Sequence, residues 1–382
     1  MEKPYVKILS FELELLGEID KYTSLDFCRS WQGVGNFSLS VRGNVSGLSR
    51  GNIIMLGGDT HKAGIIRSFE QATDENGTVT TVSGQTLNGF TSQRIVLPLD
   101  NNGGYFSVPP QSAHRNVHAE EIIKTFLSYC LGTDAAANRR LVSNGRQMLT
   151  IAENQSRGFA TEWGCRYPQL DEELQAICEY CDCGYEIYID FSNRVYVAEY
   201  LPGVDRTVGN LYSNSPVILS RDFESVKDIR YSLDNSAYKN LAYAGGEGEG
   251  ADRVVLAVTN DAVMPSGIQR FETFIDCGEL QSIETDTAMS LQETAKHKLE
   301  EYDHAESLTA SIAKSGAFRY GEQWDLGDLV TIRDKDMGLT QDIRISEVRE
   351  VYEPGGSELT VTLGKAPKRI KRAIRSLKGE VR

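Results

Sequence analysis

An internal repeat constrains the fold of this chain more than any other feature of its sequence. Residues 37–84 and 307–364 carry four elements in the same order: a strand, a turn into an apolar strand, a third strand and a hairpin strand. The first copy reads FSLSV, LSRGNIIML, AGIIRSFE and TVTTVS. The second reads SLTASIA, DLGDLVTI, the strand around residues 343–348 and ELTVTL. Period-two alternation between Gly, Pro and Asp turns is typical of strands, so the sequence predicts a duplicated small β-barrel.

The spacing of glycines supports the duplication. Gly51 and Gly84 are 33 positions apart, and Gly327 and Gly364 are 37 apart, so four extra residues in the second copy's loops account for the difference. All four glycines are predicted to lie in turns. The barrel strands predicted to pair between subunits and form a ring are residues 48–56, 63–70, 327–332 and 342–351.

The remaining segments predict an α/β insertion and further helices. Residues 119–130 and 170–181 have apolar residues at helical spacing, and residues 185–189 and 194–200 read as a hairpin. The predicted fold class is therefore α+β, mainly β, with two tube-like β-barrels related by duplication, an inserted α/β region and a basic C-terminal helix. The predicted domains are a first barrel at 1–97, the α/β domain at 98–214, a second barrel with helix 285–302 at 215–364, and a basic tail at 365–382.

Charge is distributed unevenly along the chain. The 382 residues carry a formal charge of −14, but residues 365–382 carry eight Lys and Arg against one Glu, or +7. The other 364 residues therefore carry −21. An acidic body disfavours a general nucleic-acid-binding surface, because phosphate requires facing cations. The basic tail is a separate amphipathic helix whose partner could be a membrane surface, nucleic acid or an acidic protein, or which is simply solvated.

No apolar run is long enough to span a bilayer, and acidic residues within the N-terminal apolar stretch argue against a signal peptide. We therefore expect the chain to fold first in a cytoplasm. Its seven cysteines are expected to be free thiols there.

Four cysteines are the sharpest candidates for chemistry. Cys178, Cys181 and Cys183 are closely spaced at a helix end, and Cys165 lies thirteen residues upstream of the first. Thiolates at this density can bind zinc or an iron–sulfur cluster. However, the paired C-x-x-C knuckles of a structural zinc site are absent, and small cysteines packing a helix on a hairpin are the favoured interpretation. No metal, cofactor or catalytic residue is predicted.

Two weaker motifs have ordinary explanations. The glycine-rich residues 245–250 precede a strand rather than a helix, and two glutamates there would repel phosphate, so a hairpin tip between residues 240–244 and 253–258 is predicted. A Ca²⁺ role for Glu247, Glu249 and Asp252 lacks a full ligand set. His114 and His118 have i, i+4 spacing but precede the predicted helix. Nothing in these motifs indicates catalysis.

Three segments carry a resemblance to a known family. Residues 215–252, residues 170–205 with the run EYLPGVD, and residues 320–364 with YGEQWDLGDLVTI and SEVREVYEPGG resemble the siphovirus tail hub, or tail-associated, proteins. This family is similar to the central hub of phage baseplates and of contractile injection machines. The resemblance covers the chain from the first barrel to about Gly364, and its signatures are structural rather than catalytic.

The resemblance implies an assembly and a set of partners. Each subunit would carry two tube-like barrels, and a homotrimer would form a ring of six barrels at the virion tail tip, assembled in the bacterial host cytoplasm. A distal tail protein or tail-tube ring would lie above it, and tip, fibre or spike proteins below. The tape-measure C-terminus would lie in or near the lumen, with genomic DNA only in transit. Because residues 365–382 are short, host binding or lysis is expected to reside in separate proteins.

Two alternatives come from other functional classes. One is a thiol- or metal-dependent enzyme, or a zinc-binding protein, centred on the cysteine cluster. The other is a carbohydrate-binding module, which the 17 tyrosines would permit although they form no recognisable stacking platform in the sequence. The non-enzymatic hub is the interpretation that the repeat favours.

Overall fold

A computed structural model describes residues 3–75, 77–98, 106–109, 116–246, 248, 250–277, 291–300, 302, 305–313 and 316–364. Several predictions lie outside these residues: the basic tail 365–382, residues 285–290 of the third predicted helix, His114, and the glutamates at 247 and 249.

The described residues are mainly β, as predicted, with few helices. The helices are α1 Ala119–Leu131, α2 Leu170–Cys181 and α3 Leu291–Glu300, with 3-10 turns at Leu87–Gln93, Gly250–Asp252 and Gly267–Gln269. The strands are β1 Val6–Leu9, β2 Leu15–Ile19, β3 Ser24–Ser30, β4 Asn36–Arg42, β5 Ile53–Leu56, β6 Ala63–Asp74, β7 Gly77–Thr86, β8 Phe106–Val108, β9 Val117–His118, β10 Val142–Ser143, β11 Arg146–Gln147, β12 Leu149–Ile151, β13 Ala160–Thr161, β14 Trp163–Cys165, β15 Gly184–Asp190, β16 Val195–Leu201, β17 Asp205–Arg206, β18 Ile218–Ser220, β19 Val226–Asp234, β20 Leu241–Gly245, β21 Val255–Val258, β22 Glu272–Asp276, β23 Ala305–Ile312, β24 Leu329–Asp334, β25 Leu339–Glu353 and β26 Gly356–Leu363.

The duplication appears directly in the strand order of the largest sheet. The order is β19-β23-β26-β25-β3-β4-β7-β6-β5-β1-β2, with β24 pairing β25 beside this path. The run β3-β4-β7-β6-β5 is therefore repeated as β19-β23-β26-β25-β24. The two copies that the sequence predicts therefore share the same order of paired strands. Closure of each copy into a tube stays a prediction.

Backbone hydrogen bonds match the two copies residue by residue. In the first copy the amide of Gly51 donates to the Ile66 carbonyl at 2.9 Å. In the second copy the amide of Gly327 donates to the Ile345 carbonyl, also at 2.9 Å. Both glycines have positive φ, +93° and +86°, and both ladders shift by one residue immediately after the isoleucine. A shared turn and a shared bulge support common descent of the two halves, since bulges act as designed features of a sheet.

The predicted equivalence of Gly84 and Gly364 is wrong by one residue. Ile66 pairs with Gly84, whereas Ile345 pairs with Leu363. The second copy therefore has three extra residues between Gly327 and Leu363, not four. Gly84 is also not in a turn: it lies inside β7, where an added Cβ would come within 2.0 Å of the Ile65 carbonyl. Close approach of another chain segment, rather than backbone direction, explains that glycine.

The N-terminal segment forms a hairpin. Residues 6–16 alternate in the sequence, and the structure has two antiparallel strands here, β1 and β2. The intervening turn holds Leu13 at φ 65°, and the amide of Leu13 donates to the Ser10 carbonyl at 3.0 Å. Periodicity alone does not detect a turn without Gly or Pro.

The chain divides into two compact units. The first takes in the described residues of 1–108, 115–230 and 309–364, and the second those of 109–114 and 231–308. Residues 235–304, which make up most of the second unit's main segment, lie between β19 and β23 in the chain. The equivalent strands β3 and β4 are joined by only residues 31–35. The second copy of the repeat thus contains a large insertion where the first copy has a short connection. The predicted domain limits of 97, 214 and 364 stay a proposal.

Within the first unit, α1 and α2 pack with the sheet β12-β16-β15 around one large apolar core. Acidic residues occupy the first turn of each helix, where their negative charge interacts favourably with the positive end of the helix dipole. α2 ends at Asp182 in the left-handed conformation, and the chain then enters β15. Both helices and the β15–β16 hairpin lie where the sequence predicts them.

The second unit is a small α/β assembly of its own. Its sheet has the order β21-β20-β22, and the predicted pairing of residues 240–244 with 253–258 is confirmed as β20 with β21. α3 buries Leu291, Ala295 and Leu299 against Ala242 and Ile275, along with other apolar residues of this sheet. This helix therefore serves the core of the inserted segment.

Candidate functional site

The two copies of the repeat join through one pair of strands. We define the seam as residues 25–30 of β3 paired with residues 347–352 of β25. The pairing is antiparallel over six residue pairs, from Leu25 opposite Tyr352 to Ser30 opposite Glu347. Continuous main-chain pairing makes the two halves one sheet, so the seam fixes how one copy lies beside the other.

Trp31 is buried where the seam ends. It is 1% exposed, and its amide donates to the Ser346 carbonyl at 2.9 Å. Its carbonyl accepts from the amide of Tyr185 at 3.3 Å, which joins the α/β region to the same point. The guanidinium carbon of Arg344 lies 4.7 Å from the indole centroid, within cation–π range.

Two glycines make room for the Trp31 ring. A Cβ added at Gly327 would lie 2.3 Å from the indole Nε1, and one at Gly184 would lie 2.4 Å from the ring. Gly327 is the turn glycine of the second copy, and Gly184 opens β15. One side chain thus meets the first copy, the α/β region and the second copy, and only glycine fits on two of its sides.

Charged side chains cross the seam as well. Asp26 forms a two-pronged ion pair with Arg349, in which the Arg349 Nε donates to a carboxylate oxygen at 2.8 Å. Lys62 lies 2.8 Å from Glu350, which is only 2% exposed. Bidentate Arg–carboxylate geometry adds directional specificity, and such pairs help to hold one register.

Arg29 provides a third charged contact. It is 8% exposed, donates to the Tyr320 hydroxyl at 2.7 Å and pairs with Asp325. Buried charges are retained only when they are paired, so removing Asp325 would leave an uncompensated cation at the seam.

The four predicted cysteines are close to the α/β core. Cys178 and Cys183 are fully buried and Cys181 is 7% exposed, whereas Cys165 is partly exposed on β14. Burial raises the pKa of Cys178 strongly and that of Cys181 to about 12. Burial, with the nearby Glu173 charge, also raises the pKa of Cys165. Because the thiolate is the form that attacks a substrate, these raised pKa values disfavour a nucleophilic role.

Within the described ranges, no group of three or more His, Cys, Asp and Glu side chains is arranged to hold a metal ion. His118 immediately precedes α1 without a side-chain capping hydrogen bond, and its Nδ1 lies 2.9 Å from the Gly158 carbonyl oxygen. Nor does any helix in the described part of the chain combine the length and apolarity needed to cross a bilayer. The absence of a catalytic, cofactor or metal site stays a prediction.

Sequence reasoning missed a buried charge network in the α/β region. Glu120 is fully buried, and its carboxylate accepts from Lys124 at 2.7 Å and from Arg157 at 2.8 Å. Lys124 and Arg157 also pair with Glu199, at 3.0 and 2.8 Å. Burial alone would raise the pKa of Glu120, but the two cations outweigh it and lower the pKa to about 2. Only the i, i+4 spacing of Glu120 and Lys124 is visible in the sequence.

Comparison with solved structures identifies the class of fold. A tail protein from Neisseria meningitidis MC58 matches with a TM-score of 0.56 and 14% identity, covering 95% of this chain and 97% of that one. The 43 kDa tail protein of prophage MuSo2 from Shewanella oneidensis matches with a TM-score of 0.52 and 13% identity, again over 95% and 97%. The fold is therefore one found in phage tail proteins.

A match to a protein-family model identifies the family. Residues 5–365 match the family described as Siphovirus ReqiPepy6 Gp37-like protein, and the chain belongs to this family. Comparison with curated proteins gave no match. The phage-tail class that the quoted segments predicted is confirmed.

The first prediction concerns the Trp31 contact. Gly327→Ala and Gly51→Ala each place a Cβ at positive φ, which costs about 1–2 kcal/mol. Only Gly327→Ala also collides with Trp31, since no atom lies within 4 Å of a Cβ at Gly51. We expect Gly327→Ala to lower the free energy of unfolding by roughly 1–3 kcal/mol more than Gly51→Ala. Urea unfolding measures both variants, and equal losses would contradict the Trp31 contact.

The second prediction concerns acid stability. Glu120 has a folded-state pKa of about 2, below the ordinary value of 4.5, so the unfolded chain takes up its proton first. The stabilisation from Glu120 is complete above about pH 4.5 and is lost as the pH falls to about 2. We expect the free energy of unfolding of Glu120→Gln to fall less steeply over this window than that of the unmodified protein. Parallel slopes for the two proteins, measured by urea unfolding at several pH values, would exclude the effect.

Proposed function

We propose that this protein is a non-enzymatic structural hub of a phage tail tip or baseplate. Three subunits form a ring of six barrel-like copies that joins the tail tube to the tip. The observation that carries the proposal is the seam. Each chain already contains two equivalent sheets placed side by side by main-chain pairing, which is the repeating contact that a ring requires.

Symmetry matching explains why a duplicated subunit is useful. A ring of three duplicated chains presents six similar units to a six-fold tube and three identical chains to a three-fold tip. Closed rings also limit open-ended assembly, because every heterologous contact is satisfied within the ring. Proposed neighbours are a distal tail protein or tube ring above, the tape-measure C-terminus in or near the lumen, and tip, fibre or spike proteins below.

Net charge is consistent with a channel through which DNA passes without binding. Residues 1–364 carry −21. Phosphate-binding surfaces need Lys and Arg facing the backbone, whereas an acidic wall repels it. We place the protein in the virion after assembly in the bacterial host cytoplasm, with genomic DNA as a transient passenger.

The enzyme alternative has less support. It requires a reactive thiolate, and the cysteine thiols at 165, 178 and 181 all have raised pKa values. The seam, the repeat and the family all favour a structural role.

The third prediction concerns oligomeric state. In light scattering at high micromolar concentration we expect a mass of three subunits, and in electron micrographs of the same sample a ring. Assembled tails are the matched second sample, because neighbouring proteins can stabilise a ring that dissociates when isolated. A monomer in solution together with a copy number per tail that is not a multiple of three would overturn the proposal.

A further inference from the structure

The seam predicts where a second copy of the chain binds. On β25, one edge is shared by two neighbours: residues 339–344 pair with β24, and residues 347–352 pair with β3. The equivalent strand β6 uses the same edge only once. Residues 63–65 pair with β5, and residues 68–73 have no strand partner on that edge within the described part of the chain.

The complementary edge belongs to β19. This strand is the second-copy equivalent of β3, and it stands at the end of the strand order, paired on one side with β23. β3, in contrast, is paired on both sides, with β4 and with β25. Among the described residues, each copy therefore has one of these strand edges without a strand partner, and the two edges are the counterparts of the strands that form the subunit's own seam.

The residue correspondence follows from shared contacts. On β6 it is fixed by the ladders, which match Ser68 to Glu347 and Asp74 to Glu353, a constant offset of 279. On β19 it is inferred from a Ser–Asp pair that each copy has on these two neighbouring strands. Ser38 lies opposite Asp26 in the first copy. In the second copy, the Ser311 hydroxyl donates to the Asp228 carboxylate at 3.1 Å, so Asp228 corresponds to Asp26.

Applying the seam register to these counterparts gives a complementary interface. Cys28 lies opposite Arg349 in the seam, and their counterparts are Arg230 and Glu70, a pair of opposite charge. Arg29 lies opposite Val348, and their counterparts are Tyr231 and Phe69. These two aromatic side chains are 43% and 46% exposed in the single chain.

We propose that β19 of one subunit pairs with β6 of the next, antiparallel, with Arg230 opposite Glu70 and Tyr231 opposite Phe69. The proposal rests on the ring proposed above and specifies its contact. Pairing of strand edges supplies main-chain hydrogen bonds, and the matched side chains select one register. It also explains why exposed aromatic residues are found on two open sheet edges, which otherwise invite aggregation. Asp228, near the new ion pair, is already engaged by Ser311.

Engineered cysteines test the pairing in the full-length protein. The variant Glu70→Cys/Arg230→Cys should form intersubunit disulfides on mild oxidation, giving dimers and trimers on a non-reducing gel. The seam supplies an internal positive control, because Arg349→Cys places a thiol opposite the native Cys28 and should form a disulfide within one chain. Glu70→Cys/Ile229→Cys is the negative control, since neighbouring residues of a strand point to opposite faces.

Charge exchange gives a second measurement that needs no oxidation. Glu70→Arg and Arg230→Glu should each raise the dissociation constant of the oligomer by about tenfold, and the double exchange should restore it. Intersubunit disulfides at 70 and 230 together with this rescue support the pairing. If the oligomer forms and Arg349→Cys cross-links internally but positions 70 and 230 do not, the pairing is wrong and the ring survives. If the protein is a monomer under all conditions, including in tails, both proposals fail.

Discussion

Strand β3 has to pair on both of its edges, with β4 of its own copy and with β25 of the other, and the rest of the fold depends on this requirement. The pairing converts two homologous sheets into one and fixes their spacing. Trp31 secures the end of the arrangement, because its ring is enclosed by Gly327 and Gly184 and lies against the Arg344 guanidinium. Losing the fit around one indole would loosen three parts of the first unit together.

The two inserted segments, the α/β region and the connection between β19 and β23, lie outside the seam strands in the chain. The α/β region lies in the chain between the first and second copies, and residues 235–304 connect β19 to β23 within the second copy. Neither insertion interrupts the strands that form the seam. An insertion at a strand connection is tolerated because loop closure costs grow only slowly with length. Among the described residues, β19 pairs with β23 and ends the strand order of the sheet.

Much of the fold could be predicted because both copies of the repeat have recognisable turn residues and strands in which apolar and polar residues alternate. The glycines at 51 and 327 needed positive φ, and the helices at 119–131 and 170–181 had clear apolar faces. The equivalence of Gly84 with Gly364 failed because sequence cannot distinguish a glycine at a turn from one required by a close carbonyl. The turn between β1 and β2 is not visible in the alternation of residues 6–16, because it carries no Gly or Pro.

The site was harder to predict than the fold. Nothing in the local sequence shows that Trp31 lies at the end of the seam. The two glycines that contact its ring are about 150 and 300 positions away, and only the folded chain brings them together. Arg157 and Glu199 join Glu120 for the same reason. The cysteine cluster drew attention because closely spaced thiols are conspicuous in a sequence, whereas burial determines their chemistry. Local sequence patterns indicate the repeat, whereas the contacts that join its two copies are formed by residues far apart in the chain.

Equivalence of the two copies is the central claim, and a cryo-electron microscopy map of the ring in assembled tails measures it directly. Two rotations are compared. The first superposes residues 51–84 on residues 327–363 of the same subunit, and the second superposes residues 327–363 of that subunit on residues 51–84 of the neighbouring subunit. Quasi-equivalent copies in a closed trimer predict two equal rotations of about 60° around one axis. Two clearly unequal rotations, or copies that do not lie on one circle, would contradict the account.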